Sequence, residues 1–164
     1  TLATDGEDGP PDAAGAIVAP IIYDRNAFFF ASKDTSVYRL DMTGATAASM
    51  AWRFQTEAIL DRPPRVTQGH VYQYAAGRGL TAIDKQTGQA VWFLPEGLDL
   101  LAEAENKAYL ITKVRTLAVM DNATGKPLYS LNITPIVAHV CNTDGARIYI
   151  ADESGRVGCL TPSR

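Results

Sequence analysis

Short apolar runs alternate with short polar breaks along most of the chain. The runs are rich in Val, Ile, Tyr, Phe and Leu, and turn-forming triplets such as Lys33-Asp34-Thr35, Gly77-Arg78-Gly79 and Glu153-Ser154-Gly155 separate them. β-Branched and aromatic residues favour strands, whereas Gly, Asp and Ser favour turns. The best candidate for a helix, residues 98–107, fits a helical period poorly. The pattern therefore predicts an all-β chain of antiparallel meanders.

One segment of the chain recurs. Residues 82–92 read Ala-Ile-Asp-Lys-Gln-Thr-Gly-Gln-Ala-Val-Trp, and residues 119–129 read Val-Met-Asp-Asn-Ala-Thr-Gly-Lys-Pro-Leu-Tyr. Four pairs of identical or aromatic residues share one offset of 37 residues: Asp84 and Asp121, Thr87 and Thr124, Gly88 and Gly125, Trp92 and Tyr129. Asp and Thr oxygens accept hydrogen bonds within tight turns, and Gly supplies a positive φ. A period near 40 residues indicates stacked or radial units.

The larger frame of this repeat fits four units. If Phe29, Tyr72, Tyr109 and Tyr149 are equivalent, the spacings are 43, 37 and 40 residues. The units then cover approximately residues 17–57, 58–95, 96–134 and 135–164. Each is predicted to begin with an inner strand, over residues 17–22, 65–67, 98–102 and 136–140. The fourth unit stops at Leu160, before an outer strand.

The pattern Ala-x-Asp-x-x-Thr-Gly-x-x-x-Trp at residues 82–92 resembles the repeat of quinoprotein-type (PQQ-like) β-propellers, and the resemblance extends over residues 17–160. It implies blades of four antiparallel strands, in which an aromatic ring packs between neighbouring blades. The residues implied in this structural docking are Trp52, Trp92 and Tyr129, with the turn residues Asp84, Gly88, Asp121 and Gly125. Propellers of this kind usually carry about seven or eight blades, so the resemblance predicts part of a larger ring. There are three alternatives: the chain is a natural four-blade protein, two copies close one ring, or an N-terminal segment supplies the missing outer strand.

Residues 1–16 are acidic and rich in Gly and Pro, which predicts a flexible linker. This start, without Met or a signal segment, favours a chain that begins inside a longer precursor. The chain as a whole has 46% hydrophobic and 20% charged residues and a formal charge of −3. No basic block predicts nucleic-acid binding, and no apolar run reaches the length of a membrane span. The arginines near predicted loops, together with one tyrosine, are the candidate partner-binding residues: Arg62, Arg65, Tyr74, Arg78 and Arg115.

The candidates for catalysis or metal binding are few. Cys141 and Cys159 fall on the first and third strands of one unit, roughly 9–10 Å apart, so we expect free, buried thiols. Quinoprotein dehydrogenases hold a quinone and a calcium ion, and many carry adjacent cysteines. This chain has no adjacent pair, and only Asn142 with Asp144 resembles part of a calcium site. We therefore predict no catalytic residue, no cofactor and no metal.

The resemblance implies a non-enzymatic scaffold for protein–protein interaction, similar in character to the propeller lipoprotein of the outer-membrane β-barrel assembly machinery. It also implies a periplasmic or extracellular location. The expected partner is an unidentified protein, or a second copy of the chain that completes the propeller. A ligand-sensing extracytoplasmic propeller domain of a larger protein is the main alternative. A fragment of a quinone-dependent dehydrogenase is a further one.

Overall fold

The computed structural model describes residues 13–161, which form strands and turns. Within this range, no helix is long and apolar enough to cross a membrane. The strands are β1 (Ile22–Asp24), β2 (Ala27–Ala31), β3 (Ser36–Met42), β4 (Ala48–Gln55), β5 (Arg65–Val66), β6 (His70–Ala75), β7 (Gly79–Asp84), β8 (Ala90–Leu94), β9 (Gly97–Ala104), β10 (Lys107–Thr112), β11 (Thr116–Asp121), β12 (Pro127–Asn132), β13 (Ile136–Val140), β14 (Ile148–Asp152) and β15 (Val157–Leu160).

Consecutive strands pair antiparallel into four separate sheets, here called blades 1 to 4. Blade 1 is β1–β4, blade 2 is β5–β8, blade 3 is β9–β12, and blade 4 is β13–β15. The all-β fold of propeller blades is thus confirmed. The described residues up to Pro64 form one compact unit, and those from Arg65 form a second unit that holds blades 2 to 4.

Blade 1 has an aromatic core. Phe29 is fully buried and its ring centroid lies 6.2 Å from that of Trp52, while Phe30 stacks on Tyr38 at 5.1 Å. Of the predicted linker, residues 1–12 lie outside the described range. Residues 14–16 are hydrogen-bonded to the β2–β3 hairpin, because Ala16 O accepts from the Lys33 N–H at 2.9 Å.

The inner strand of blade 1 is displaced from its predicted place. β1 spans Ile22–Asp24, so the prediction of a strand over residues 17–22 is wrong except at its last residue. Pro20 interrupts that apolar run, and a proline cannot donate a ladder hydrogen bond. The other inner strands, β5, β9 and β13, lie where the sequence predicted them, within a few residues.

Two apolar cores hold the second unit together, one on each face of blade 3. Leu100 joins a core with Tyr72 and Trp92 of blade 2, whereas Leu101 joins a core with Ile148 of blade 4. Successive side chains of a strand point to opposite faces, so an uninterrupted apolar run in β9 serves both neighbours. The inner strands of blade 3 are therefore covered on both faces over most of their length.

The repeated Asp-x-x-Thr-Gly segment forms the turn between the third and fourth strands. Asp84 Oδ1 accepts hydrogen bonds from the N–H and the hydroxyl of Thr87 at 2.7 and 2.9 Å. Asp121 and Thr124 repeat the arrangement at 2.8 and 2.7 Å. The glycine that follows has a φ of 72° in blade 2 and 67° in blade 3. The motif is thus a turn in which the Asp carboxylate accepts hydrogen bonds that a backbone carbonyl would otherwise accept.

A bulge follows each of these turns at the same place in the repeat. The register of the third and fourth strands shifts between Arg39 and Leu40, between Ala82 and Ile83, and between Val119 and Met120. Each extra residue immediately precedes the aromatic residue of the outer strand. A bulge bends its strand and re-aims the neighbouring side chain, so the aromatic ring is directed by backbone geometry as well as by its own packing.

Trp92 packs against the turn of the next blade. Its side chain is 7% exposed, and a Cβ added at Gly125 would lie 2.4 Å from Trp92 Cβ. Trp52 is also buried. Tyr129 differs, because its side chain is 49% exposed, so the expectation of a buried ring is wrong there. The described part of blade 4 ends before the turn that would cover this ring.

Gly125 offers a direct test of this contact. We expect Gly125→Ala to destabilise the chain by about 1–2 kcal/mol for its left-handed backbone, plus about 1–3 kcal/mol for the overlap with Trp92. Gly155→Ala is the matched control, since Gly155 has a φ of 79° but open space around its Cβ position. Urea unfolding monitored by tryptophan fluorescence measures both variants. Equal losses would contradict the close packing of Trp92 on Gly125.

Candidate functional site

The innermost strands of blades 2, 3 and 4 bring three charged or titratable side chains into one row, here called the inner ion row. The Arg65 Nε and Nη2 atoms donate to the two carboxylate oxygens of Asp99 at 2.9 and 2.8 Å. His139 Nε2 lies 3.5 Å from Asp99 Oδ2. Each residue comes from a different blade, so a single carboxylate links all three blades of the second unit.

The electrostatics of the inner ion row favour an ionised Asp99. Burial raises the pKa of Asp99, but the hydrogen bonds from His139 and Arg65 outweigh it and lower the pKa to about 2. The same hydrogen bond raises the pKa of Arg65. The row is a bidentate ion pair of the kind that fixes geometry as well as charge.

A second polar cluster, here called the Glu103 network, lies at the other end of the same inner strands. Glu103 Oε2 accepts from the Tyr72 hydroxyl at 2.6 Å and from the Thr67 hydroxyl at 2.7 Å. His70 Nδ1 lies 3.3 Å from Glu103 Oε1, and Asn122 Oδ1 lies 2.9 Å from the Tyr72 hydroxyl. The network joins blade 2 to blade 3 beside the apolar core that they share.

Burial and hydrogen bonding set the charges in the Glu103 network. Burial raises the pKa of Glu103, yet the hydrogen bonds from His70, Tyr72 and Thr67 bring it below its ordinary value. Burial and the nearby carboxylate raise the pKa of Tyr72 far above its ordinary value, so its hydroxyl stays protonated. The carboxylate is the acceptor, and the groups around it are donors. This arrangement stabilises a contact between blades.

The sequence pattern alone assigned no role to either carboxylate. Asp99 and Glu103 interrupt the otherwise apolar strand β9, and a charged residue inside a buried strand is the signal that was available. In the described part of the chain, no three His, Cys, Asp or Glu side chains are grouped to hold a metal ion. Asn142 and Asp144, the nearest match to a calcium loop, form a turn in which Asn142 Oδ1 accepts from the Asp144 N–H at 3.1 Å.

Both cysteines are free thiols. Cys141 is half-buried near the inner ion row, and burial raises its pKa to about 11, so the thiol is neutral at pH 7. Cys159 is exposed, and the expectation that both thiols are buried is wrong for it. The reason is its position on β15, which is the edge of its sheet.

The candidate partner-binding residues lie mainly at one end of the blades, here called the hairpin face. Arg78 and Arg115 occupy the hairpins between the second and third strands of blades 2 and 3, 37 residues apart and exposed. Arg115 Nη1 donates to Thr134 O at 3.2 Å. Arg65 and Tyr74 lie at the same end, the former in the inner ion row and the latter packed on the core between blades 2 and 3. Arg62 is exposed and belongs to the first unit.

Antiparallel four-stranded meanders that pack face to face, with an aromatic ring seated on the turn of the next sheet, define a β-propeller. A family model described as outer membrane protein assembly factor BamB matches residues 11–113. The chain belongs to this family, whose repeats are of the PQQ-like type.

Solved structures with the same fold include BamB from Moraxella catarrhalis, at 15% identity and a TM-score of 0.65. The match covers 92% of this chain and 48% of that one, so the chain spans about half the length of that protein. The computationally designed Ika4 protein matches at 15% identity and a TM-score of 0.68, over 97% and 100% of the two chains.

A europium-containing methanol dehydrogenase matches at 14% identity and a TM-score of 0.55, over 73% of this chain and 26% of that one. At these identities the likeness to solved structures concerns the fold alone. Comparison with curated proteins gives no significant match.

The inner ion row predicts a pH dependence of stability. A carboxyl with a lowered pKa stabilises the fold above its unfolded pKa, near 3.9, and this contribution is lost as the pH falls towards 2. We expect Asp99→Asn to remove this loss of stability between about pH 4 and 2. The substitution is also expected to lower the free energy of unfolding by about 2 kcal/mol at pH 7.

Urea unfolding at a series of pH values between 7 and about 2 measures the effect. Asp144→Asn, at an exposed position of the same second unit, is the control and is expected to follow the original chain. Superimposable pH profiles for Asp99→Asn and the original chain would contradict the role of the inner ion row.

Proposed function

We propose that the chain is part of a non-enzymatic β-propeller scaffold that binds another protein outside the cytoplasm, as an assembly factor for outer-membrane proteins. The observation that carries the proposal is the pair of exposed arginines on equivalent hairpins, Arg78 and Arg115. Family membership supplies the setting, because the model that matches the chain describes an outer membrane protein assembly factor.

The hairpin face has the properties of a protein-binding surface. The Arg78 N–H donates to Ala75 O at 3.1 Å, and the Arg115 N–H donates to Thr112 O at 3.0 Å, so both guanidinium groups stand on closed turns. Arginine is enriched at protein interfaces, and little ordering entropy is lost when the backbone is already fixed. Val114, beside Arg115, adds a strongly exposed apolar side chain. The face therefore fits a partner with carboxylates around a small apolar contact.

The inner ion row supports a scaffold more than an enzyme. Arg65 and His139 lie on the innermost strands of their blades, and both contact Asp99. Opening such a pair would leave the carboxylate without its cation, which is unfavourable for a partly buried group. The row is better suited to holding blades together.

Binding measurements on the hairpin face test the proposal. The probe is the purified periplasmic region of an outer-membrane β-barrel assembly protein, titrated against the immobilised 164-residue chain by biolayer interferometry. We expect saturable binding that weakens at least about tenfold in the double variant Arg78→Glu and Arg115→Glu, since buried or central charge reversals cost more than about 1.4 kcal/mol.

Lys126→Glu is the matched control, because it reverses an exposed charge in the turn at the opposite end of blade 3. We expect it to bind like the original chain. Equal loss in both variants would indicate general electrostatics, and absence of binding would reject this partner class. A quinone absorbance that appears with pyrroloquinoline quinone and Ca²⁺, together with alcohol-dependent dye reduction, would instead favour a dehydrogenase.

A further inference from the structure

The hairpin between β10 and β11 presents three exposed side chains on the hairpin face, those of Lys113, Val114 and Arg115. The backbone of the flanking connections holds both cations. Lys113 Nζ donates to Pro95 O at 2.7 Å, before β9 begins. Arg115 Nη1 donates to Thr134 O at 3.2 Å, before β13 begins. The hairpin therefore carries two anchored cations with Val114, which is 66% exposed, between them in the sequence.

One edge of the Arg115 guanidinium has no acceptor among the described residues. Nη1 donates to the carbonyls of Thr134 and Ile136, at 3.2 and 3.4 Å, whereas Nε and Nη2 make no hydrogen bond to residues 13–161. A guanidinium carries five N–H donors, and its planar fork matches the two oxygens of a carboxylate. The protein thus orients the side chain through one nitrogen and leaves a paired set of donors available.

Two other arginines of the chain show what this pair of donors binds. Arg65 Nε and Nη2 donate to the carboxylate of Asp99 at 2.9 and 2.8 Å. Arg39 donates to Asp41 through the same two atoms, at 2.7 and 3.2 Å. Bidentate pairs of this kind add geometric specificity to the attraction between charges. A carboxylate is therefore the acceptor that fits the open edge of Arg115.

Arg115 also occupies a backbone position that favours glycine. In blades 1, 3 and 4 the equivalent hairpin residues have a positive φ, which is 71° at Thr35, 54° at Arg115 and 79° at Gly155. Each of the three donates its N–H to the carbonyl three residues earlier, at 3.0–3.2 Å. Residues with a Cβ adopt this conformation at a cost, and such positions cluster at functional sites. A use for the arginine side chain explains its presence where blade 4 has glycine.

We propose that the β10–β11 hairpin is a carboxylate-binding site for an acidic peptide segment of a partner protein. A Glu or Asp side chain of the segment accepts from Nε and Nη2 of Arg115, and a neighbouring apolar side chain packs on Val114. Lys113 adds a second positive charge. The inference rests on the proposed function and goes further, because it assigns the anchor to one residue and the ligand to one chemical class.

Nuclear magnetic resonance of the ¹⁵N-labelled chain tests the site, because the Nε–H group of Arg115 reports directly on its acceptor. The probe is the blocked peptide acetyl-Val-Glu-Val-amide at about pH 6, where glutamate is ionised. We expect the Nε–H signal of Arg115 and the amide signal of Val114 to shift saturably. The control acetyl-Val-Gln-Val-amide has the same shape without the charge, and we expect it to bind at least about tenfold more weakly.

Arg115→Gly separates binding from folding. Glycine suits the left-handed backbone, as Gly155 does in blade 4, so urea unfolding is expected at the same or a higher urea concentration. Binding of the glutamate peptide, followed at the Val114 amide, is expected to weaken at least about tenfold. Arg115→Lys keeps the charge but loses the paired donors, and a loss of at least about threefold is expected. Arg147→Gln, at an exposed arginine between β13 and β14, is the control that retains binding.

Two kinds of result would overturn the inference. An Arg115 Nε–H signal that does not shift, or equal affinity for the two peptides, would show that this edge does not take a carboxylate. Early unfolding of Arg115→Gly together with unchanged peptide binding would make Arg115 a structural link between the hairpin and the connection to β13.

The peptide titration and the titration with the assembly protein can fail separately. Binding of the glutamate peptide at Arg115, without binding of the assembly protein, would reject the partner class proposed above and support the carboxylate site. Binding of the assembly protein that is unchanged in Arg115→Gly would overturn the carboxylate site as the anchor and leave the scaffold function in place.

Discussion

The contact between Trp92 and Gly125 is the constraint on which the second unit depends. A tryptophan ring buries a large apolar area, roughly 150–250 Å², and here it does so against a turn that has no side chain at the point of contact. The turn exists because Asp121 and Thr124 satisfy its backbone groups, and because glycine takes a left-handed φ at little cost. One repeated segment thereby supplies both the turn and the ring. Each blade completes the packing of the blade before it.

The polar contacts between blades add a different kind of restraint. Asp99 and Glu103 are carboxylates on one strand, each surrounded by donors from a neighbouring blade. Burying such groups is costly unless every lone pair has a partner, so their net contribution to stability is smaller than their number of hydrogen bonds indicates. We interpret them as fixing the angular register of the blades. A bidentate ion pair fixes geometry as well as charge.

The fold followed from the sequence because the repeat carries its own punctuation. Strand-forming runs, the Asp-x-x-Thr-Gly turn and the aromatic position recur at matching offsets, and each reflects local chemistry. The errors have local causes too: Pro20 shortened the first inner strand, and Tyr129 lacks a described turn above it. Asp99 and Glu103 were not foreseen, because their partners come from other blades. The role of Arg78 and Arg115 in binding stays a prediction, because any residue at these hairpin positions would be exposed.

The units of this repeat are not all equivalent in the described residues. Blades 2 and 3 share turn, bulge and aromatic position, and their interface is occupied by their own side chains. Blade 4 departs from them at β15, which has no fourth strand beside it in the described residues, and Tyr129 and Leu131 of β12 are both about half exposed. The repeat that places Gly125 against Trp92 therefore has no counterpart against Tyr129 in the described residues, and this ring is about half exposed.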